Sequence, residues 1–375
     1  ILSGYATFGS TGWASKSGSN IITLASYTAA NAGSTGGGGT TANTDIAGVS
    51  GSWGTQTIYS LRFNSASTTT LTQSNFNQTL TITTGGILVT SGVGNFVSTI
   101  RQGNLLGAPN ADLIVHQHNT SNAIGLDIAS YIYNNTSASG LTKSGAGNLR
   151  LSGLNAFTGN IHINDGTLEI GNAGQLGIAS IAGVSTGGVA NYGGTIFNAG
   201  TFRYGSSADQ TLSGVISGSG GVTKDTNASS ILTLTGANTY TGATTITAGT
   251  LRIGNGGNTG SLSTSSAISN TATLAFNRND TVTQGTHFAS AIGAGAGAVV
   301  QAGTGTLVLN GANLYTGATT AAAGTLRLDL ATGSLSSSSP LSMTGGRFEI
   351  RGNGSGTSTQ TLGAMTMAAR TNSVI

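Results

Sequence analysis

The sequence predicts an all-β fold: a right-handed parallel β-helix, or β-solenoid, that forms a single continuous rod. Three observations support this prediction. Short runs of Ile, Val, Leu and Phe alternate with polar residues along the chain, which is the two-residue period of a strand. Glycine accounts for 62 of the 375 residues, whereas proline occurs twice. One short unit recurs three times, as expected of a protein built from stacked repeats.

The composition argues against several other classes of protein. Charged residues make up 6% of the chain, against roughly 25% in a typical soluble domain. No apolar run reaches the ~18 residues of a membrane-spanning helix, and β-branched residues are too frequent for a disordered chain. The net charge of +3 comes from scattered single arginines, so we expect no nucleic-acid binding. No motif predicts a cofactor, and the absence of cysteine suits a chain that is exported unfolded.

The recurring unit occupies residues 149–170, 232–253 and 307–328. All three copies share the frame Leu-x-Leu-x-Gly-x-Asn-x-aromatic-Thr-Gly, then a short strand, then Gly-Thr-Leu-x-hydrophobic. Each copy is interpreted as three short strands joined by tight turns. The 19 residues from Leu149 to Leu168 suit one coil of a solenoid.

The corners of this frame carry glycine, asparagine and an aromatic residue. We expect Gly153, Gly159 and Gly166 to supply positive φ, which costs glycine nothing, and the asparagines to suit the same left-handed geometry. Packing at a corner is favoured over sugar stacking for the aromatic residues, because their position repeats with the frame. The recurring corner residues are Asn155, Phe157, Gly159, Asn238, Tyr240, Gly242, Asn313, Tyr315 and Gly317.

The chain is predicted to have two parts. Residues 1–139 lack the frame but keep the alternation, which predicts irregular coils with a glycine-rich loop near residues 33–40. Residues 140–375 carry the three repeats within a longer period of about 75 to 83 residues. The third copy has Ala321-Ala322 where isoleucine is expected. Since Ile1 is not an initiator methionine, we expect a processed piece of a longer precursor.

The three segments resemble the autotransporter-associated β-strand repeat, also called the passenger-associated transport repeat. The resemblance covers roughly residues 140–350, and residues 85–94 and 111–118 are similar to segments that precede such repeats in large secreted bacterial proteins. It implies a right-handed parallel β-helix exported to the bacterial cell surface or beyond. In that family the repeats are associated with folding and translocation, and they carry adhesins and stalks. No catalytic residue belongs to the repeat.

The best candidate for enzymatic chemistry is the constellation of Arg150, His162 and Glu169. Each is the middle residue of its strand in the first repeat, so each is expected to point outward. We expect the three strands to lie on different faces of one coil, so that the side chains need not meet. A solvated polar surface is therefore favoured over a catalytic site.

Two histidines are weak candidates for a metal site. His116 and His118 stand two residues apart on a predicted strand, hence on one face, with Asp112 and Asp127 near in sequence. A specific metal site needs a third converging ligand, so a ladder of polar side chains is the favoured interpretation. Asp165 closes a turn with Gly166, but the repeated nonapeptide of calcium-binding β-helices is absent.

Three functions remain open from the sequence. The first is an extracellular structural protein that assembles with itself into a fibre, sheath or surface layer. The second is an adhesin, a passenger stalk that binds host cells or glycans, and the third is a polysaccharide-active enzyme. The first is favoured because a weakly charged Thr/Ser/Asn surface offers little repulsion, and because no cap is evident at Ile1 or Ile375 to protect strand edges.

Self-assembly predicts that the purified chain sediments as species larger than a monomer, increasingly so at higher concentration, because exposed strand edges pair with other copies. Analytical ultracentrifugation over a concentration series measures this. A monomer at every concentration contradicts the hypothesis.

Overall fold

The structure is a computed structural model that describes residues 6–17, 20–24, 26–30, 42–46, 51–178 and 190–368. The chain divides into two compact units, Ile1–Phe202 and Arg203–Ile375. The predicted glycine-rich loop near residues 33–40 lies outside the described residues. The predicted division of the chain at residues 139 and 140 stays a prediction.

The all-β prediction is confirmed, since the described residues form strands, turns and one short 3₁₀ helix (η1, Ser91–Val93), with no α-helix among them. Thr90 caps η1, because its hydroxyl accepts a hydrogen bond from the backbone N–H of Gly92. The strands of both units stack mainly in parallel, which confirms a β-solenoid. The right hand of the coil stays a prediction.

Strands in the first unit are short and mostly two to six residues long. They are β1 (Thr7–Phe8), β2 (Gly12–Ser17), β3 (Asn20–Thr23), β4 (Thr28–Ala30), β5 (Asn43–Ile46), β6 (Gly51–Trp53), β7 (Gln56–Phe63), β8 (Thr69–Gln73), β9 (Thr79–Val89), β10 (Ser98–Arg101), β11 (Asn104–Leu106), β12 (Leu113–Gln117), β13 (Leu126–Ile128), β14 (Tyr131–Ile132), β15 (Leu141–Ser144), β16 (Asn148–Leu151), β17 (Leu154–Asn155), β18 (Ile161–Ile163), β19 (Thr167–Ile170), β20 (Gln175–Leu176), β21 (Ala190–Tyr192) and β22 (Ile196–Asn198).

These strands stack into three parallel sheets. Sheet I contains β6, β8, β10, β13, β16 and β19. Sheet II joins the first half of β9 to β11, β14, β17 and β20. Sheet III joins the second half of β9 to β12, β15, β18 and β22. Leu149 pairs with Leu168 in sheet I, which confirms the predicted 19-residue coil.

The beginning of the first unit departs from this pattern. Strands β1, β2 and β3 pair antiparallel, so these residues form a small meander and not a coil. The Trp13 side chain of this meander is fully buried, with its ring edge-on to His116 at 5.6 Å. The Arg62 guanidinium lies 3.5 Å from the centre of the Tyr27 ring, a cation–π contact. The parallel pairing of strands therefore begins after this meander, with β4, β5 and β7.

The second unit begins within β23, and its later strands repeat the same short pattern. They are β23 (Thr201–Tyr204), β24 (Gln210–Leu212), β25 (Ile216–Ser217), β26 (Gly221–Lys224), β27 (Ile231–Leu234), β28 (Thr244–Ile246), β29 (Thr250–Ile253), β30 (Ile268–Asn270), β31 (Thr273–Phe276), β32 (Thr281–Thr283), β33 (Ala298–Gln301), β34 (Thr306–Leu309), β35 (Thr319–Ala321), β36 (Thr325–Asp329), β37 (Leu341–Met343), β38 (Arg347–Arg351) and β39 (Met365–Met367).

Three sheets also enclose the core of this unit. Sheet IV contains β26, β28 and β30. Sheet V contains β24, β27, β29, β31, β33, β35, β37 and β39. Sheet VI contains β32, β34, β36 and β38. Strand β35 forms although Ala321 replaces isoleucine, and Ala321 is fully buried beside Met343.

The core of each unit follows from the two-residue period of its strands. In the first unit the predicted inward residues Leu61, Leu80, Ile87 and Leu113 are buried, as is Leu149 of the first repeat. Each such side chain contributes about 1.5–3 kcal/mol by leaving water. The alternate residues point away from this core, and many of them are polar, although Leu88 and Ile114 are buried as well.

Successive copies of the long repeat do not stand above one another. Along sheet V, Leu232, Leu251, Leu274 and Val299 are consecutive partners, so the turns between them take 19, 23 and 25 residues. Leu232 lies on the second strand of its repeat, β27, whereas Val299 lies on the first strand of the next repeat, β33. One copy of the long repeat is therefore three full turns plus one further strand, on the next face of the coil. As a result, the equivalent strands lie in sheets IV and V for the second copy and in sheets V and VI for the third.

The glycines at the corners are needed mainly for close approach. Gly166 has the predicted positive φ of 65°, but Gly153 and Gly159 do not, so that prediction was wrong for both. A Cβ on Gly153 would lie 2.5 Å from the carbonyl oxygen of Ser130, and one on Gly159 would lie 2.5 Å from the carbonyl carbon of Ser139. Turns stack at about 4.8 Å, and the backbone of the preceding turn occupies the space of a side chain.

We expect Gly242→Ala to lower the free energy of unfolding by about 1–3 kcal/mol through overpacking. The added Cβ would lie 2.4 Å from the carbonyl carbon of Gly220. The midpoint of urea denaturation measures the effect. Gly257→Ala is the matched control, because no atom lies within 4 Å of a Cβ there. Equal midpoints for the two variants contradict the close-approach explanation.

Candidate functional site

The asparagine of the repeat corner links three successive turns. Asn238 Nδ2 donates hydrogen bonds to the carbonyl oxygens of Gly236 (3.1 Å) and Ser261 (2.7 Å), the second of which lies on the next turn. Its Oδ1 accepts from the N–H of Ile216 on the preceding turn (2.8 Å). A buried side-chain amide needs partners for both its oxygen and its nitrogen, and Asn238 has both. Asn238 is therefore a staple between turns.

The other two copies use the same asparagine in related ways. Asn155 Nδ2 donates to the carbonyl oxygens of Gly153 (2.9 Å) and Gln175 (3.0 Å). Asn313 Oδ1 accepts from the N–H of Ile292 (3.0 Å). None of the three asparagines has a positive φ, so the prediction of left-handed backbone was wrong. Their position depends on bonds to neighbouring turns and not on local turn geometry.

The aromatic residue of the corner faces the core. Phe157, Tyr240 and Tyr315 are all fully buried, so no sugar can stack on them. The Tyr240 hydroxyl bonds to Thr244 Oγ1 (2.6 Å), which bonds to Ser266 Oγ on the next turn (2.8 Å). Burial raises the pKa of Tyr240 to about 12, so the hydroxyl keeps its proton at neutral pH.

The aromatic residue and its hydrogen-bond partner four residues later change together among the three copies. In the third copy, Tyr315 bonds to Thr319 (2.7 Å) and Thr319 to Ser339 (2.9 Å), which repeats the hydroxyl chain. In the first copy, Phe157 replaces tyrosine and Ile161 replaces threonine. A buried hydroxyl that loses its partner is costly. Because the first copy lacks both hydroxyls, neither one is left unpaired there. The corners therefore serve the scaffold.

A second recurring position, on the strand before each repeat, buries a cation. Lys143 Nζ donates to the carbonyl oxygens of Gly145 and Asp165, the latter at 2.8 Å. Lys224 Nζ donates to the carbonyl oxygens of Asn227 (3.1 Å) and Ala248 (3.2 Å). Both lysine side chains are fully buried. An ammonium group carries three donors, which suits a cluster of carbonyl oxygens at a turn.

The third copy replaces this lysine by an amide. Gln301 Nε2 donates to the carbonyl oxygens of Gly303 (2.8 Å) and Gly305 (3.0 Å). Burial lowers the pKa of Lys143 to about 7, and it also lowers the pKa of Lys224. The sequence shows that Lys143, Lys224 and Gln301 occupy equivalent positions before the three repeats. Their burial was missed because lysine is almost never fully buried.

The predicted constellation of Arg150, His162 and Glu169 is only partly assembled. Arg150 and Glu169 are register partners on adjacent strands of sheet I, so the expectation that they lie on different faces was wrong. The 19-residue spacing brings the end of the repeat back to the face on which it began. Arg150 forms an ion pair with Asp127 (2.6 Å). His162 stands on sheet III, stacked on Phe197 at 4.6 Å.

His116 and His118 lie side by side, with ring centroids 6.3 Å apart and planes 9° from parallel. Burial lowers the pKa of His118, and the charge of Lys143 lowers it further. Asp112 accepts hydrogen bonds from Gly140 N (3.1 Å) and Thr142 Oγ1 (2.8 Å). No group of three His, Cys, Asp or Glu side chains able to hold a metal ion occurs among the described residues.

Asp165, the residue considered for calcium, turns back on its own loop. Its Oδ1 accepts a hydrogen bond from the N–H of Gly166 (2.7 Å), and its carbonyl oxygen accepts from Lys143. Both groups thus stabilise the corner. In the part of the chain that the structure describes, no helix has the length and apolar character needed to span a membrane.

Comparison with known proteins agrees with this architecture. The passenger-associated-transport-repeat family matches residues 141–170, 229–253 and 299–328. All three matches begin before the frame found in the sequence, and those of the first and third copies include the strands of Lys143 and Gln301. The chain is therefore a β-solenoid protein built on autotransporter-associated repeats.

One curated relative is the adhesin BmaC autotransporter of Brucella suis biovar 1 (strain 1330). It is 33% identical over 381 residues, which cover 85% of this chain and 11% of that protein. The chain thus spans about a tenth of the relative's length. Together the repeats and the relative indicate a secreted, cell-surface location. No solved structure matches the chain.

We expect the free energy of unfolding to rise between pH 7 and 10.5, by up to about 1.4 kcal/mol per pH unit from Lys143. The pKa of Lys143 is about 7 when folded and 10.5 in the reference state. In that window the unfolded chain binds more protons, so raising the pH favours folding. Urea denaturation across this range measures the slope. Lys143→Gln, which introduces the amide found at Gln301, should flatten it, and an unchanged slope contradicts the assignment.

Proposed function

We propose that this chain is an adhesive segment of a surface-exposed passenger, in which the solenoid is a scaffold and the outer faces bind. The observation that carries this proposal is the contrast between the inside and the outside of the repeats. The recurring Asn, aromatic and Lys or Gln residues are all buried in the core, where Asn238 and Lys143 bond between turns. Outward positions in the same frame differ among the copies, as do the half-buried Ala156 and the exposed Thr239 and Leu314.

A surface that varies over a constant scaffold is suited to recognition. The stability of the coil depends mainly on its inward residues, whereas substitutions at exposed positions usually change stability little and leave room for contacts with a partner. The name of the relative, an adhesin, supports this choice among the functions open from the sequence.

A polysaccharide-active enzyme is less well supported. Such enzymes need converging carboxylates that act as acid and base. Here Asp45 is paired with Arg62 at 2.6 Å and Asp127 with Arg150 at 2.6 Å. These ion pairs hold the carboxylates in structural roles.

Self-assembly stays a separate prediction. The uncapped ends that suggested it, at Ile1 and Ile375, lie outside the described residues. The adhesin proposal does not depend on it, because a monomer can present the same outer faces.

Adhesion predicts saturable binding of the purified, labelled chain to host cells, with displacement by excess unlabelled chain, because a defined surface offers a limited number of contacts. Flow cytometry over a concentration series measures it. Heat-unfolded chain is the control. Binding that never saturates, or that the unfolded chain reproduces, contradicts the proposal.

A further inference from the structure

The outer surface of the first unit contains a groove of about 620 Å³ beside Tyr133. Ten residues line it, all within the described part of the chain, and none of them is charged. The groove runs across three successive turns. The N–H of Ala156 bonds to the carbonyl oxygen of Ile132 (2.8 Å), and that of Ile178 to Asn155 (3.1 Å). At the spacing of stacked strands these turns span about 10 Å, which suits a chain-like ligand.

Aromatic side chains line the surface beside one end of the groove. Ile132 is buried, so Tyr131 and Tyr133 on either side of it both face outward. The Phe76 side chain is 60% exposed, and its ring stacks on Tyr131 at 6.4 Å with planes 26° apart. Phe76, Tyr131 and Tyr133 thus form an aromatic stripe that ends at the groove.

The polar lining of the groove is held in a fixed arrangement. Asn134 Oδ1 accepts from the N–H of Thr158 (2.9 Å), and Asn134 Nδ2 donates to Thr158 Oγ1 (3.0 Å). An amide has two N–H donors and a hydroxyl keeps its own. Asn134 therefore has a second donor, and the Thr158 hydroxyl that accepts from it can donate outward. These groups are in place before any ligand arrives.

Two of the residues that line the groove are glycines required by the packing of the turns. A Cβ on Gly177 would lie 2.3 Å from the carbonyl oxygen of Asn191, and one on Gly194 would lie 2.5 Å from that of Gly159. Gly177 also has a positive φ of 70°. The packing of the turns thus excludes side chains at both positions, and a ligand meets backbone there.

We propose that this groove binds an uncharged saccharide chain, whose ring faces pack on Tyr133 and Tyr131 and whose hydroxyls bond to Asn134 and Thr158. Ligand sites typically combine aromatic surface with a few placed polar groups, and the uncharged lining disfavours an acidic sugar. The inference rests on the proposed adhesive function, for which it names a ligand class and a location.

The test uses the full chain and a panel of neutral oligosaccharides of glucose, xylose, mannose and galactose, with oligogalacturonate as the charged comparison. Isothermal titration calorimetry measures affinity. We expect Tyr133→Ala to weaken binding about tenfold or more through loss of aromatic contact. Ala156→Met, which fills the groove and removes no aromatic ring, should weaken binding similarly.

Phe197→Ala is the matched control, because Phe197 is also exposed and stacked but stands on sheet III beside His162. Circular dichroism confirms that each variant is folded. The proposal is overturned if no neutral oligosaccharide binds, if oligogalacturonate binds best, or if both groove variants bind like the control. Cell binding separates the two proposals: cells that bind without saccharide binding leave the adhesin standing, and the reverse result leaves the groove standing.

Discussion

The stacking of one turn directly on the next governs every other feature of this protein. Parallel backbone hydrogen bonds hold successive turns about 4.8 Å apart, so each residue has a neighbour above and below. An inward side chain must satisfy its polar groups on its own turn or through those neighbours, because water is excluded. The hydrogen bonds of Asn238 to the turns on either side show this constraint. The corner glycines show it too, since the adjacent backbone occupies the space of a Cβ.

This constraint separates the two sets of residues that the sequence presents together. Residues that recur, such as Asn238, Tyr240 and Lys224, are buried and bond between turns. The position of Ala156, Thr239 and Leu314, in contrast, varies among the copies and is half-buried or exposed. Recognition therefore falls to parts of the surface that the repeat does not specify. The groove beside Tyr133 combines Ala156 and Thr158 of the first repeat with residues outside the frame, such as Tyr133 and Asn134, and it depends on three successive turns.

Much of the fold was predictable, because stacking imposes a period that the sequence displays. The alternation of Leu149 and Leu151 predicted the strand, and the spacing to Leu168 predicted the coil. The role of Asn155 was mistaken because local turn preferences say nothing about bonds between turns. The burial of Lys143 was missed because its carbonyl partners include Asp165, 22 residues away. The antiparallel meander around Trp13 was missed because alternation is the same for parallel and antiparallel strands.

The advance of one face per long repeat has a consequence for how such a protein can change in length. Removing one copy of the long repeat from the second unit would leave the core intact, yet it would swing every downstream side chain to the next side of the coil. Adding one would swing them the other way. Within such an array, the number of repeats sets both the length of the scaffold and the direction in which the downstream side chains point. The scaffold would lengthen without turning its binding surfaces only if enough copies were added to return the equivalent strands to the same face of the coil.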